Sequence, residues 1–144
     1  MNNWQVVHEE LVGIAKRRAA LDVEEAQWIR RGLEVEVWKE FGMVNVIDYL
    51  ERVVGYAPRT AMDRVRVAME LRYLKSVERA MERGDLGYSA VREIVRVATV
   101  ETEDEWVAAA VGKNVKQVEE LVRGRQKAGG PVDGAAGRQT ARIG

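Results

Sequence analysis

"VVGYAPRTAMDRVRVA", residues 53–68, sets a Gly-Tyr-Ala-Pro break between two stretches of helical pattern. Pro58 suits the first position of a helix, where its missing N–H costs no hydrogen bond. Behind it come Arg59, Thr60, Asp63, Arg64 and Arg66. Helical spacing puts Arg59, Asp63, Arg66 and Glu70 on one face, with Ala61, Val65 and Ala68 opposite. A short helix ending at Gly55, a turn, and a second helix opening with Arg-Thr predict a helix-turn-helix over about 46–71. One feature fits that pattern poorly. The apolar position three residues beyond Ala61 is taken by Arg64, so Val65 replaces it only if the turn is a residue longer.

Working outward, the rest of the chain also reads as helix. Residues 4–40 carry Ala15, Ala19, Ala26, Ile29 and Leu33 on one face, with Asp22 as a position where the segment either continues or divides in two. Gly42 ends it. Asn45 with Asp48 is a capping box for a helix bearing Ile47, Leu50 and Val54 on one face. Helical pattern then runs from Pro58 to at least Leu71, resumes to Ala80, and stops at Gly84. Helices are predicted over 88–98, after Thr99 as N-cap, and over 115–126 behind Asn114 and Gln117. In the first turn after Thr99, Glu101, Glu103 and Asp104 face the positive end of the helix dipole. The expected fold is all-α, a compact bundle of about six helices with a long N-terminal segment.

Composition agrees with a globular domain of 144 residues, 47% hydrophobic and 32% charged. Six of its 13 glycines fall within residues 124–144, so the domain is placed at 1–123 and a flexible, basic, Gly-rich tail at 124–144. No cysteine is present, which excludes disulfides and thiolate metal sites. The first residues lack a signal-peptide pattern, and "WVAAAV", the longest uncharged apolar run, is far too short for a membrane helix. A cytoplasmic location is expected.

The net charge of zero conceals segregation. Residues 56–100 hold 9 basic and 6 acidic side chains, and 123–144 hold 5 and 1. Gathered on one surface, such an excess would attract a polyanion.

Little in the sequence supports catalysis. His8 is the single histidine and Ser76 and Ser89 are the only serines. Glu24/Glu25 and Glu119/Glu120 read as solvated faces, and the four tryptophans as packing residues. No EF-hand spacing or phosphate-binding glycine loop is present. The chain is expected to be neither an enzyme nor a holder of metal or cofactor.

Three phrases also carry a resemblance: "YLERVVGYAPRTAMDRVRVAMEL", "MERGDLGYSAVREIVRVAT" and "VGKNVKQVEELV". In that order they resemble the helical N-terminal domain of unknown function that precedes an HNH nuclease domain in many bacterial proteins. The likeness spans roughly residues 11–125. A more distant one is to the helix-turn-helix region of ParB-type partition proteins, where a Gly-Tyr-Ser turn opens the recognition helix. These resemblances imply double-stranded DNA as partner, with Arg59, Thr60, Asp63, Arg64 and Arg66 at the DNA and Arg64 shared with packing. Arg123, Arg125 and Lys127 would add phosphate contacts. Ala57 replaces the serine often found before that helix, a lost cap of about 1 kcal/mol. After Gly124 there are no nuclease histidines or Cys pairs. A nuclease-less relative, a truncated product and a domain cut from a longer chain all fit that departure.

The alternative expectation is a helical protein–protein module without a nucleic-acid role. Val7, Leu11, Ile14, Leu21 and Trp28 exceed what one packed stripe needs. Residues 4–40 are therefore expected to form a homodimer.

Overall fold

The structure is a computed structural model and describes residues 3–130, with side chains to residue 125. Seven α-helices and no strand occur among the described residues. The first, α1 (Asn3–Val35), is one unbroken helix of 33 residues, so Asp22 makes no division. It ends at Glu36, which adopts a left-handed φ of 53°, and a 3₁₀ turn (Val37–Phe41) follows. The expected segment 4–40 is thus one helix and a short turn.

A brief α2 (Val46–Tyr49) runs directly into a π-helical turn (Leu50–Val54). Asn45 Oδ1 accepts from the Asp48 amide at 2.9 Å, and Asp48 in turn accepts from the Val44 amide at 3.0 Å. The π turn shifts the helix face. Leu50 remains buried, but Val54 is exposed and Val46 takes the inner position expected of it. Gly55 closes the turn at φ 92°, a conformation that favours glycine.

The second half of the chain is a series of shorter helices. They are α3 (Pro58–Leu71), α4 (Lys75–Glu82), α5 (Tyr88–Ile94), α6 (Glu103–Ala110) and α7 (Val115–Gly130). α5 is shorter than expected because its last turn tightens: Arg96 and Val97 donate to carbonyls three residues back. Thr99 does not cap α6. The cap position is Thr102, whose hydroxyl accepts from the Thr99 amide at 2.9 Å and holds the preceding turn. Glu101 therefore precedes α6. Asn114 and Gln117 form the expected reciprocal box, both bonds 2.9 Å. α7 continues past Gly124 to Gly130, so only residues 131–144 of the expected tail lie outside the described residues.

α1 packs on α3 and α4, α4 on α6, and α5 on α7. The core is built from Leu71, Met81, Ile94, Val67 and Val91, all fully buried. From α1 it receives Ala19, Val23, Ala26 and Ile29; Val23 falls on the expected face, whereas Ala15 is exposed. Only one tryptophan, Trp106, is buried. Trp38 is half-buried, while Trp4 and Trp28 are exposed.

Two polar links tie the layers. Arg30 donates to the Ala68 carbonyl at 2.7 Å and to Glu78 at 3.1 Å, joining α1 to α3 and α4. Glu103 is buried, and its Oε1 accepts from the Ser76 and Val77 amides at 2.8 and 3.1 Å. It supplies from α6 the N-terminal cap that α4 lacks locally. At Gly84, φ 85° and the closeness of Lys16 both demand glycine: a Cβ there would stand 2.6 Å from Lys16 Cγ.

Candidate nucleic-acid interface

α3 is held on all sides except at its start. Ala57 is extended and offers no side-chain cap; the Ala61 amide donates to its carbonyl at 2.9 Å. Pro58 has no N–H, and the amides of Arg59 and Thr60 have no intrahelical acceptor. Ala57, Pro58, Arg59 and Thr60 are all exposed, as is Met62. Ala61, Val67, Ala68 and Leu71 are buried, and residues 63–66 are partly covered. The helix therefore shows its basic first turn and little else.

Arg64 takes the packing side of its expected role. It points into the bundle, pairing with Asp22 at 2.7 Å and with Glu25 at 3.4 Å. Its guanidinium lies 3.7 Å from the ring centre of Tyr88 and 5.3 Å from that of Tyr56. The Tyr56 hydroxyl donates to Glu25 Oε2 at 2.7 Å, closing the group. Arg64 fills the apolar position of the turn by stacking between two aromatic rings, its charge matched by acids on α1. Glu25 is no solvated carboxylate.

The electrostatics follow from this burial. Burial alone would lower the Arg64 pKa, but the hydrogen bond and charge of Asp22, together with Tyr56 and Tyr88, raise it overall. For Tyr56, burial and then the bond to Glu25 push the phenol up to about 12. Burial also raises Tyr88, against the opposing charge of Arg64. Arg64 therefore stays charged, and Tyr56 and Tyr88 stay protonated, throughout the neutral range.

Asp63 and Arg66 lie between these extremes. Asp63 sits 3.7 Å from Arg66 and 3.9 Å from Arg92 of α5, so its charge is balanced by two arginines. Arg66 Nη2 and Arg92 Nε are buried without a hydrogen-bond acceptor. Arg123 and Arg125 are exposed on α7, with Arg125 6.0 Å from the Trp106 ring. No ion pair or hydrogen bond joins them to the α3 tip among the described residues, and the Lys127 side chain lies outside those described.

Of the predicted set, the structure leaves Arg59 and Thr60 outward, ties Asp63 to Arg66, and turns Arg64 inward. Asp22, Glu25, Tyr56, Tyr88 and Arg92 were not predicted. A signal existed for two of them: Gly55-Tyr56 and Gly87-Tyr88 are matching Gly-Tyr pairs, each just ahead of or opening a helix.

His8 is exposed on α1. Among the described residues no group of three or more His, Cys, Asp or Glu is placed to hold a metal, and no helix is long and apolar enough to cross a membrane. Comparison of the chain with protein-family models, curated proteins and solved structures gives no match. The functional reading rests on the chain's own residues.

Proposed function

We propose that the chain is a non-catalytic helical module that binds double-stranded DNA through the first turn of α3. The observation that carries this is the contrast along that helix. Its body is packed and pinned by Arg64, while Arg59, Thr60 and two uncapped amides stand outside. Recognition helices use this end, where amides and basic side chains hold phosphates and side chains reach base edges. Arg59 and Thr60 make the contact, and Arg66 adds positive charge beside a neutralised Asp63. Arg64 positions the helix and does not touch the ligand. A cysteine-free chain of this kind suits a reducing cytoplasm.

The test is fluorescence anisotropy with a labelled duplex over a salt series. Arg59→Ala should weaken binding and reduce the salt slope by about one contact. Arg123→Ala with Arg125→Ala serves as comparator. Binding that ignores Arg59 and follows only the α7 arginines would make the α3 tip a structural corner.

A second reading, a helical protein–protein or homodimerisation module through residues 4–40 with no nucleic-acid role, is favoured by the exposed Val7, Leu11, Leu21 and Trp28 of α1.

A further inference from the structure

α1 carries two apolar stripes, and the bundle covers one of them. Ala19, Val23, Ala26 and Ile29 are buried on the side that packs against α3 and α4. On the other, Val7, Ile14, Leu21, Trp28 and Val35 recur at a strict seven-residue step, interleaved toward the N-terminus with Trp4 and Leu11. None of residues 3–18 is buried, and Trp4, Leu21 and Trp28 are 64%, 63% and 68% exposed. A seven-residue repeat drifts around a straight helix and stays in register only with another helix wound along it.

We propose that this stripe pairs with α1 of a second copy in antiparallel orientation, setting Trp4 opposite the second copy's Val35 and Arg18 opposite its Leu21. Charge is the first argument. Glu10, Arg17, Glu24 and Arg31 stand exposed along one flank of the stripe, alternating in sign at the same seven-residue step. In antiparallel helices these flanking positions face each other. This register brings Glu10 to the second copy's Arg31 and Arg17 to its Glu24, and two-fold symmetry repeats both pairs.

Within the stripe, Arg18 excludes the parallel arrangement. An in-register parallel pair would stack Arg18 on its own copy, setting like charges face to face. Reversing one helix separates the two arginines and lays each against the second copy's Leu21. Arg18 is exposed and makes no ion pair among the described residues, so it is available.

Shape is the third argument. The N-terminal part of α1 overhangs the bundle, whereas its C-terminal part forms with α2 an apolar groove of about 360 Å³. Trp28, Gly32, Val35, Val46, Leu50 and Val54 line it. The antiparallel register lays Trp4, Val7 and Leu11 of each copy along the other's groove, so bare overhang meets bundle twice. Each buried tryptophan removes on the order of 150 Å² from water, so four of them supply a large share of the roughly 1,200 Å² a stable pair buries.

The full chain is tested by sedimentation velocity and by cross-linking, which its lack of cysteine makes simple. A monomer–dimer equilibrium is expected, with Arg17→Glu weakening the dimer roughly fivefold or more at low salt, since it creates two like-charge contacts. Adding Glu24→Arg to the same chain should restore it. Both positions are exposed, so circular dichroism should not change. Val7→Cys should form no disulfide with itself but should cross-link when mixed with Gly32→Cys. A strict monomer at high micromolar concentration, absence of charge-swap rescue, or a Val7→Cys self-disulfide would overturn the proposal. None of these readouts depends on DNA.

Discussion

Arg64→Ala separates a residue that positions the α3 tip from one that touches a ligand. The change removes a guanidinium bonded to Asp22 at 2.7 Å and stacked 3.7 Å from the Tyr88 ring centre. It also leaves Asp22 and Glu25 without their common cation. Breaking a buried ion pair costs about 3–5 kcal/mol. Because Arg64 and Asp22 keep 17% and 24% of their side-chain exposure, solvent screening places the cost at the lower end, about 3 kcal/mol. About 1 kcal/mol of that belongs to the aromatic stacking. For a domain of this size 1 kcal/mol moves Tm by about 4 °C, so a fall of about 12 °C is expected by scanning calorimetry. Arg59→Ala, made at an exposed position, should change stability by no more than about 0.5 kcal/mol. A cycle with Asp22→Asn should return a coupling of about 1–2 kcal/mol. If Arg64→Ala left Tm within about 2 °C and lowered duplex affinity instead, Arg64 would be a contact residue and the inward network would not be what holds the helix.

Two further expectations test the surrounding architecture. Glu103→Ala leaves the Ser76 and Val77 amides of α4 without their acceptor and should cost about 2–3 kcal/mol. Glu103→Gln keeps an oxygen in place of Oε1 and should cost about half as much, so equal losses in thermal melts would refute the cap. For Tyr56 the folded phenol, raised to about 12, keeps its proton where the unfolded one, at about 10, has lost it. That stabilisation is complete below pH 10 and disappears as pH rises from 10 to about 12. Urea melts should show a shallower alkaline decline for Tyr56→Phe, not a flat one, because Tyr88 is raised as well. Identical slopes for variant and parent would contradict the buried bond to Glu25.

The sequence by itself determined the helices, because capping boxes, glycines and proline act over a few residues. Asn45 and Asn114 cap as expected, Pro58 opens α3, and Gly42, Gly55, Gly84 and Gly112 all take positive φ at helix ends. What depended on non-local neighbours was not legible. Periodicity shows that α1 has more than one apolar stripe, but only the placement of α3 and α4 decides which one is covered. Thr99 looked like a cap because its neighbourhood has the right residue types, yet Glu103 is used across space by α4, 26 positions or more away. Arg64 is the sharpest case. At an apolar position of the pattern it reads as shared between packing and phosphate, but nothing local shows what would match its charge, and burying a guanidinium alone is costly. That cost is removed only by acids 39 and 42 residues earlier in the chain and by a tyrosine beyond the next helix. Local rules set which residues are helical; the assembled bundle decides which charges face water, because only there do distant partners meet.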